Sequence, residues 1–391
     1  MKGHIRRRGK HSWELKFDAG RDDATGKRIT QFHTVRGTRK EAQFKLAELI
    51  ASVGKDEYVT RSNLTVGDHV QARIDHWEAM EEITPKTAER YRELLENQIR
   101  PHLTKALQKL KAVDVENWHK KLKTEGRKDG KGGLAARTIG HAHRLLSKAL
   151  NEGVGNEQII RNVAATKSPP PVADEDAEVV ILNDEQVKTA ITKLRGRPLY
   201  PSSMLGLFGG LRRGEILALR WHRVHIDAES EKVVEVVEAL EETKKGVRFK
   251  RPKTENGIRD VTLPDIVIEA LREWRLQQLE LRVALGLGKM PEDALVFPRL
   301  NGTTPQSPRA FTGAWTDTAA RIGLPVTFHA LRHTHASHLI DAGIDVVKIS
   351  KRLGHSSPTV TLQIYAHLFR KRDDKSAAAI NDAVDSFLSK A

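Results

Sequence analysis

The spacing of apolar positions changes along the chain, and each change marks a new region. In residues 1–60, Trp13, Leu15 and Phe17 alternate with polar neighbours, the period of a half-buried strand. The turn-rich "DAGRDDATGKR" leads to a second strand, "RITQFHTV". Thr38 and Glu41 have the spacing of a capping box and open a helix with Ala42, Leu46, Leu49, Ile50 and Val53 on one face. Gly54 is its natural stop. From 64 to 165 the period is helical. Val66, Val70, Ile74 and Trp77 share a face, and Thr84 with Pro85 reads as an N-cap and first helical residue. "VDVENWHKKLKTEG" and "RTIGHAHRLLSKALNEG" supply two more helices, each closed by glycine.

Three consecutive prolines and an acidic cluster make 166–177 a linker. Asn183 and Gln186 then give another helix start. The remainder is helical apart from "KVVEVVEAL", "GVRFKRPK" and "GIRDVTLP", which form a central β section, with "ALVFP" (294–298) as a further strand candidate. The expected architecture is therefore multidomain and mainly α. A small α+β domain (1–60) precedes an all-helical domain (64–165), and 178–391 form a mixed α/β, mostly helical domain with a small antiparallel sheet.

Composition narrows the function. The chain has 391 residues and no cysteine, which excludes disulfides and cysteine-ligated zinc and is consistent with a reducing cytoplasm. Lys and Arg exceed Asp and Glu by 15, and the excess is spread over all three regions rather than confined to a tail. A sequence pI near 9.8 suits a partner with a phosphate backbone. The basic run Arg6, Arg7, Arg8 and Lys10 offers candidate DNA contacts, the alternative being a frayed, solvated terminus. The first fifteen residues lack a signal peptide's apolar core, and no uncharged apolar stretch is long enough to span a membrane.

The stretch "TFHALRHTHASHL" (327–339) holds four histidines, one arginine and no carboxylate. On a helix at about 100° per residue, His329, Arg332 and His333 share one face while His335 and His338 point away. His329 and His333 have the i, i+4 spacing of a zinc-protease helix, but the glutamate of H-E-x-x-H is missing and Arg332 would repel a cation. An anion suits this face better. Histidine and arginine at i, i+3 can both donate to one oxyanion, and the guanidinium fork matches phosphate.

Three further pieces complete a pattern: "GLRRGEILALRW" (210–221), "RPKTENGIRDVTLP" (251–264) and "LGHSSPTVTLQIYAHL" (353–368). His355 follows Arg332 by 23 residues and Tyr365 follows His355 by 10. In these motifs the C-terminal half resembles the tyrosine recombinases of the phage integrase family. The resemblance implies a catalytic set of Arg212, Lys253, His329, Arg332, His355 and Tyr365, with Tyr365 as the nucleophile. Arg212 and Arg332 would clamp the scissile phosphate, and His329 would accept or relay the phenolic proton. Lys253 would protonate the departing 5′ oxygen, and His355 would add a hydrogen bond. Arg213 has no assigned part, and Glu215 reads as structural, orienting an arginine. Gly209 stands where many members carry threonine, a harmless departure.

The resemblance further implies an arm-type DNA-binding domain in 1–60, a core-binding domain in 64–165 and a catalytic domain in 178–391. It implies double-stranded attachment-site DNA as partner, a homotetramer on that DNA, accessory DNA-bending proteins, and neither metal nor cofactor. The setting would be a bacterial or phage-encoded protein on the nucleoid. The tail after 370 is weakly amphipathic at Ala379, Ile380, Val384, Phe387 and Leu388, and would dock either on a neighbouring protomer or on its own domain. The rival readings are a type IB topoisomerase, which shares the tyrosine chemistry, and a non-catalytic DNA-binding regulator on the same scaffold.

Overall fold

Leu15 and Phe17 sit under a helix because alternation along their strand sends them to the same side. The computed structural model describes residues 3–21, 27–54, 58–60, 62–172, 179–227, 232–252, 254–369, 380–381 and 384–385. The chain divides into two compact units, Met1–Ala173 and Asp174–Ala391.

The first unit begins with an antiparallel sheet of β1 (His4–Gly9), β2 (Ser12–Arg21) and β3 (Arg28–Arg36), in that order. Helix α1 (Arg39–Gly54) lays Ala42, Leu46, Leu49 and Val53 on Leu15 and Phe17. Thr38 and Glu41 form the expected reciprocal cap, with the Thr38 N–H donating to Glu41 Oε2 at 2.7 Å and the Glu41 N–H to Thr38 Oγ1 at 3.3 Å. The basic run is not a frayed end. Arg6 pairs with Glu14 and Arg7 with Trp13 in strand β1. Only Ile5 of that strand joins the core, too weak a signal for alternation to register.

Four helices follow: α2 (Val66–Ala79), α3 (Pro85–Leu94), α4 (Ala112–Glu125) and α5 (Ala136–Gly155). Thr84 caps α3 by accepting from the Thr87 N–H, and Pro85 takes the first turn. A π turn, Leu95–Ile99, continues α3 and keeps Leu95 and Ile99 facing inward. Val66, Val70, Ile74 and Trp77 of α2 bury completely, and the Trp77 indole donates to Glu152 on α5.

In the second unit, α6 (Asp184–Leu194), α7 (Tyr200–Leu207) and α8 (Arg213–Ala218) precede the β section. Strands β4 (Val224–His225), β5 (Val233–Val236) and β8 (Arg259–Thr262) form one antiparallel sheet; β6 (Ala239–Thr243) and β7 (Gly246–Lys250) form a hairpin. Then come α9 (Asp265–Ala284), α10 (Pro308–Arg321), α11 (Phe328–Asp341), α12 (Val346–Leu353) and α13 (Pro358–Phe369). This is the mainly helical architecture with small antiparallel sheets that the pattern predicts.

Residues 294–298 are not a strand. Two of their carbonyls are taken by side chains of α9: Gln278 Nε2 donates to Leu295 O at 2.8 Å and the Trp274 indole to Val296 O at 2.6 Å. Among the described residues, their pairing is limited to isolated antiparallel bridges: Pro298 with Pro305, and Leu295 with Arg220, where the Trp221 N–H donates to Ala294 O at 2.9 Å and the Val296 N–H to Leu219 O at 2.8 Å. The apolar run is otherwise explained by burial.

The main core of this unit gathers Leu205, Leu331, Phe311, Trp315 and Phe328, whose aromatic rings meet edge to face. A smaller cluster of Ala336, Ile340, Ile349, Leu353 and Tyr365 binds α11, α12 and α13 together. That cluster fixes the tyrosine helix against the histidine helix.

Candidate active site

Two glycines in the left-handed region set the site's frame. Gly210 (φ +69°) ends the turn before Arg212, and a Cβ there would overlap the His335 ring. Gly354 (φ +64°) caps α12, and a Cβ there would meet Arg259 Nη1 at 2.7 Å. Each hands its carbonyl to a site arginine. Gly210 O accepts from Arg332 Nη1 at 2.6 Å, and Gly354 O accepts from Arg212 Nη2 at 2.9 Å.

Arg332 lies on the inner face of α11 and is 2% exposed. A second carbonyl, Leu353 O, accepts from its Nη2 at 2.6 Å. Burial and then the neighbouring Arg212 bring its pKa down to about 9, so it stays charged at neutral pH. Arg212 occupies the N-cap of α8, where its backbone N–H and its Nη1 both donate to Glu215, each at 2.8 Å. Arg259 of β8 donates to the same carboxylate from Nη1 at 3.2 Å and Nη2 at 2.9 Å. Burial alone would raise the Glu215 pKa; Arg259, Arg212 and Arg332 overcome it and hold it at about 2.

His355 follows Gly354 directly. Its Nδ1 is 2.8 Å from Thr361 Oγ1 on α13, which directs the ring. Burial, then Arg332 and Arg212, lower its pKa to about 3, so it acts as a neutral imidazole. Tyr365 is 1% exposed, and burial pushes its phenol up to about 12 against the pull of Arg332. Its hydroxyl lies 2.7 Å from Nδ1 of His333. His329 stands one ring further out, edge-to-face on His333 with centroids 4.4 Å apart. Burial, then Arg332 and Arg212, lower the His329 pKa as well.

Five of the six residues that the motifs single out thus share one electrostatic neighbourhood: Arg212, His329, Arg332, His355 and Tyr365. Lys253 lies outside the described residues. The partner of the phenol differs from expectation, being His333 rather than His329, because on α11 the residue four positions along reaches deeper toward α13. His335 serves elsewhere, accepting from Arg352 Nε at 3.0 Å. Among the described residues, no three His, Asp or Glu side chains gather as a metal-holding group. Arg213, left without a part, bonds Thr312 on α10.

Arg259 is the residue that motif reading misses. A signal exists: it shares strand parity with Val261 on β8, pairing with buried Val236 as Val261 pairs with Val234. An arginine on the buried face of a strand demands a carboxylate, and Glu215 is that carboxylate.

Residues 181–372 match the model of the phage integrase family, and residues 71–123 match that of the phage integrase N-terminal SAM-like domain. A tyrosine recombinase XerD of Corynebacterium glutamicum is 30% identical over 257 residues, 61% of this chain and 73% of that protein. The chain belongs to the phage integrase family. This integrase is also 26% identical over 389 residues to a XerC-like tyrosine recombinase of Caldanaerobacter subterraneus subsp. tengcongensis, covering 96% of the chain and 97% of the relative. Its function is that of these enzymes, site-specific DNA recombination.

Solved structures share the fold. The Tn1549 transposon integrase in complex with transposon right end DNA aligns over 82% of this chain and 100% of its own, at TM-score 0.67 and 22% identity. A lambda integrase tetramer bound to a Holliday junction aligns over 91% of this chain and 96% of its own, at TM-score 0.54 and 17% identity. No helix of this integrase, among the described residues, is long and apolar enough to cross a membrane.

Proposed function

We propose that Arg212, Lys253, His329, Arg332, His355 and Tyr365 are the catalytic set, and that Tyr365 cuts attachment-site DNA to leave a 3′-phosphotyrosine. The carrying observation is a buried phenol beside a charged arginine whose guanidinium is hydrogen-bonded to two backbone carbonyls. Arg332 is held by two carbonyl dipoles and forms no direct ion pair among the described residues, which leaves its charge available to a phosphate. Arg212 shares Glu215 with Arg259, which cancels that carboxylate and leaves positive charge over. Together the two arginines offset the charge that builds on the non-bridging oxygens as phosphorus is attacked. His355 adds a neutral donor, and Lys253 delivers a proton to the 5′ oxygen. The phosphotyrosine conserves the bond energy, so a second 5′-hydroxyl reverses the step without ATP.

Residues 1–60 act as an arm-type DNA-binding domain. The open face of the sheet presents Arg6, Arg8, Lys16 and Arg36 around an exposed Phe32, while Glu14 is paired with Arg8 and Asp18 with Arg28. Arg7 takes the opposite face, over Trp13, and Lys10 lies in the turn, so only two of the four basic candidates point to a duplex on this face. Residues 64–165 hold the core site, 166–177 link, and 178–391 carry the chemistry. Recombination proceeds in a homotetramer on two DNA sites, helped by DNA-bending proteins, in the bacterial cytoplasm. The tail reading falls almost wholly outside the described residues.

The test mixes the full chain in EDTA with a nicked duplex that traps cleavage, using the DNA that flanks its gene. Wild type is expected to give a covalent protein–DNA band that Tyr365→Phe abolishes. A band that survives in Tyr365→Phe, or that forms only with added metal, overturns the proposal. Relaxation of supercoiled plasmid without strand exchange would return the topoisomerase reading.

A further inference from the structure

The tyrosine hydroxyl and an imidazole outside the expected set are in contact. Tyr365 Oη and His333 Nδ1 are 2.7 Å apart, while His329 reaches the phenol only through the His333 ring. We propose that His333 is the general base of DNA cleavage, taking the phenolic proton at Nδ1 as Oη attacks phosphorus. This rests on Tyr365 being the nucleophile.

The Oη–H bond breaks as the Oη–P bond forms, and the P–O5′ bond breaks with its electron pair on oxygen. The phenolic proton rests on His333, and a separate acid, Lys253 in the reading above, protonates the 5′ oxygen. On rejoining, the 5′-hydroxyl attacks, Oη leaves with its electron pair, and the His333 proton returns to it.

The charges around the two rings also set when the proton moves. Burial, then His329 and Arg332, hold the His333 imidazole neutral with its pKa near 4, and in its Nε2–H tautomer Nδ1 accepts from the phenol. The phenol stands at about 12, so the free enzyme cannot store a phenolate. A phosphodiester anion seated between Arg212 and Arg332 offsets the positive field on His333 and raises its basicity. Proton transfer therefore accompanies attack and does not precede it, which restricts the reactive tyrosine to a DNA-loaded site. His329, the more open ring of the pair, is placed to pass the proton outward.

The experiment measures single-turnover cleavage of the nicked duplex by wild type, His333→Asn and His333→Gln in the full chain, each with tyrosine or 3-fluorotyrosine at 365. Asparagine sets an amide oxygen near the Nδ1 position, so it holds the phenol but cannot take its proton. The expected result is a fall of about 10²- to 10⁴-fold in His333→Asn with duplex binding unchanged. The more acidic fluorophenol should recover part of it, by about tenfold. A 5′-bridging phosphorothiolate, whose sulfur leaves without an acid, should not restore the rate.

A His333→Asn rate within about threefold of wild type overturns the proposal. So does a deficit that fluorotyrosine leaves untouched, which marks a placement role, or one that the phosphorothiolate cures, which marks an acid. If neither variant binds duplex, fluorotyrosine in wild type decides: a change under about threefold fits base-assisted attack, and a large acceleration refutes it. Absence of any covalent adduct in wild type would instead sink Tyr365 as the nucleophile.

Discussion

Replacing Glu215 by glutamine should unsettle the catalytic unit by about 3–5 kcal/mol, the usual cost of removing one partner from a buried ion pair. The carboxylate side chain is 5% exposed and receives four hydrogen bonds, from the Arg212 backbone, Arg212 Nη1 and both terminal nitrogens of Arg259. Arg259, itself 7% exposed, would be left without a counter-charge beside Arg212 and Arg332. Glutamine keeps the shape but turns an amide N–H toward guanidinium donors. An independent route gives a similar size. The fall from an ordinary 4.5 to about 2, at about 1.36 kcal/mol per unit, corresponds to roughly 3 kcal/mol of stability. Because the folded pKa is the lower one, that stability is complete above about pH 4.5 and is lost as pH falls toward 2. Scanning calorimetry of the full chain should show the transition of the second unit falling by roughly 10 °C in Glu215→Gln at pH 7, at 2–4 °C per kcal/mol. The gap between the two proteins should close as pH drops below about 4.5. A loss under about 1 kcal/mol, or a gap that does not narrow in acid, would refute the account of Glu215 as the carboxylate holding two arginines.

Gly210→Ala should cost about 2–5 kcal/mol, from left-handed strain plus overlap with His335, and should slow cleavage by displacing the carbonyl that anchors Arg332; urea unfolding and the nicked-duplex assay check both. Arg6→Ala with Arg8→Ala should weaken binding to arm-type duplex and flatten its salt dependence by about one unit for each phosphate no longer neutralised, while cleavage of a core site alone stays at the wild-type rate.

Periodicity carried most of the fold and failed where other groups replaced it. The capping pairs Thr38–Glu41 and Asn183–Gln186 and the Thr84–Pro85 start are local, so they can be read from a few residues. Strand β1 escaped because only one face of it touches a core, and that face shows a single isoleucine. Residues 294–298 were half legible: they pair only as isolated bridges to Arg220 and Pro305, and side chains from α9 take the carbonyls of Leu295 and Val296. Of the proposed catalytic residues, Arg212, Arg332, His355 and Tyr365 were legible as a group because each sits at a fixed place on a turn or helix, and the fold brings them near one another. The contact of His333 with Tyr365 was not legible. Helical phase puts His329 and His333 on one face, but which of them meets α13 depends on how two helices separated by 32 positions in sequence pack.

The way the arginines are held explains how one site can be both buried and ready for an anion. A guanidinium neutralised by a dedicated carboxylate would have little attraction left for phosphate, and a naked one would be too costly to bury. Here Arg259 and Arg212 divide one carboxylate between them, and Arg332 is supported by the carbonyls of Gly210 and Leu353. Carbonyl dipoles stabilise the ion without cancelling its charge. The two left-handed glycines are what allow the backbone to present carbonyls at those angles. It follows that Arg332→Lys should fail although it keeps the charge: one ammonium cannot span two carbonyls and still face the phosphate, so cleavage should fall at least about tenfold. A Lys variant cleaving at the wild-type rate would show that charge alone, and not the forked geometry, is what the site uses.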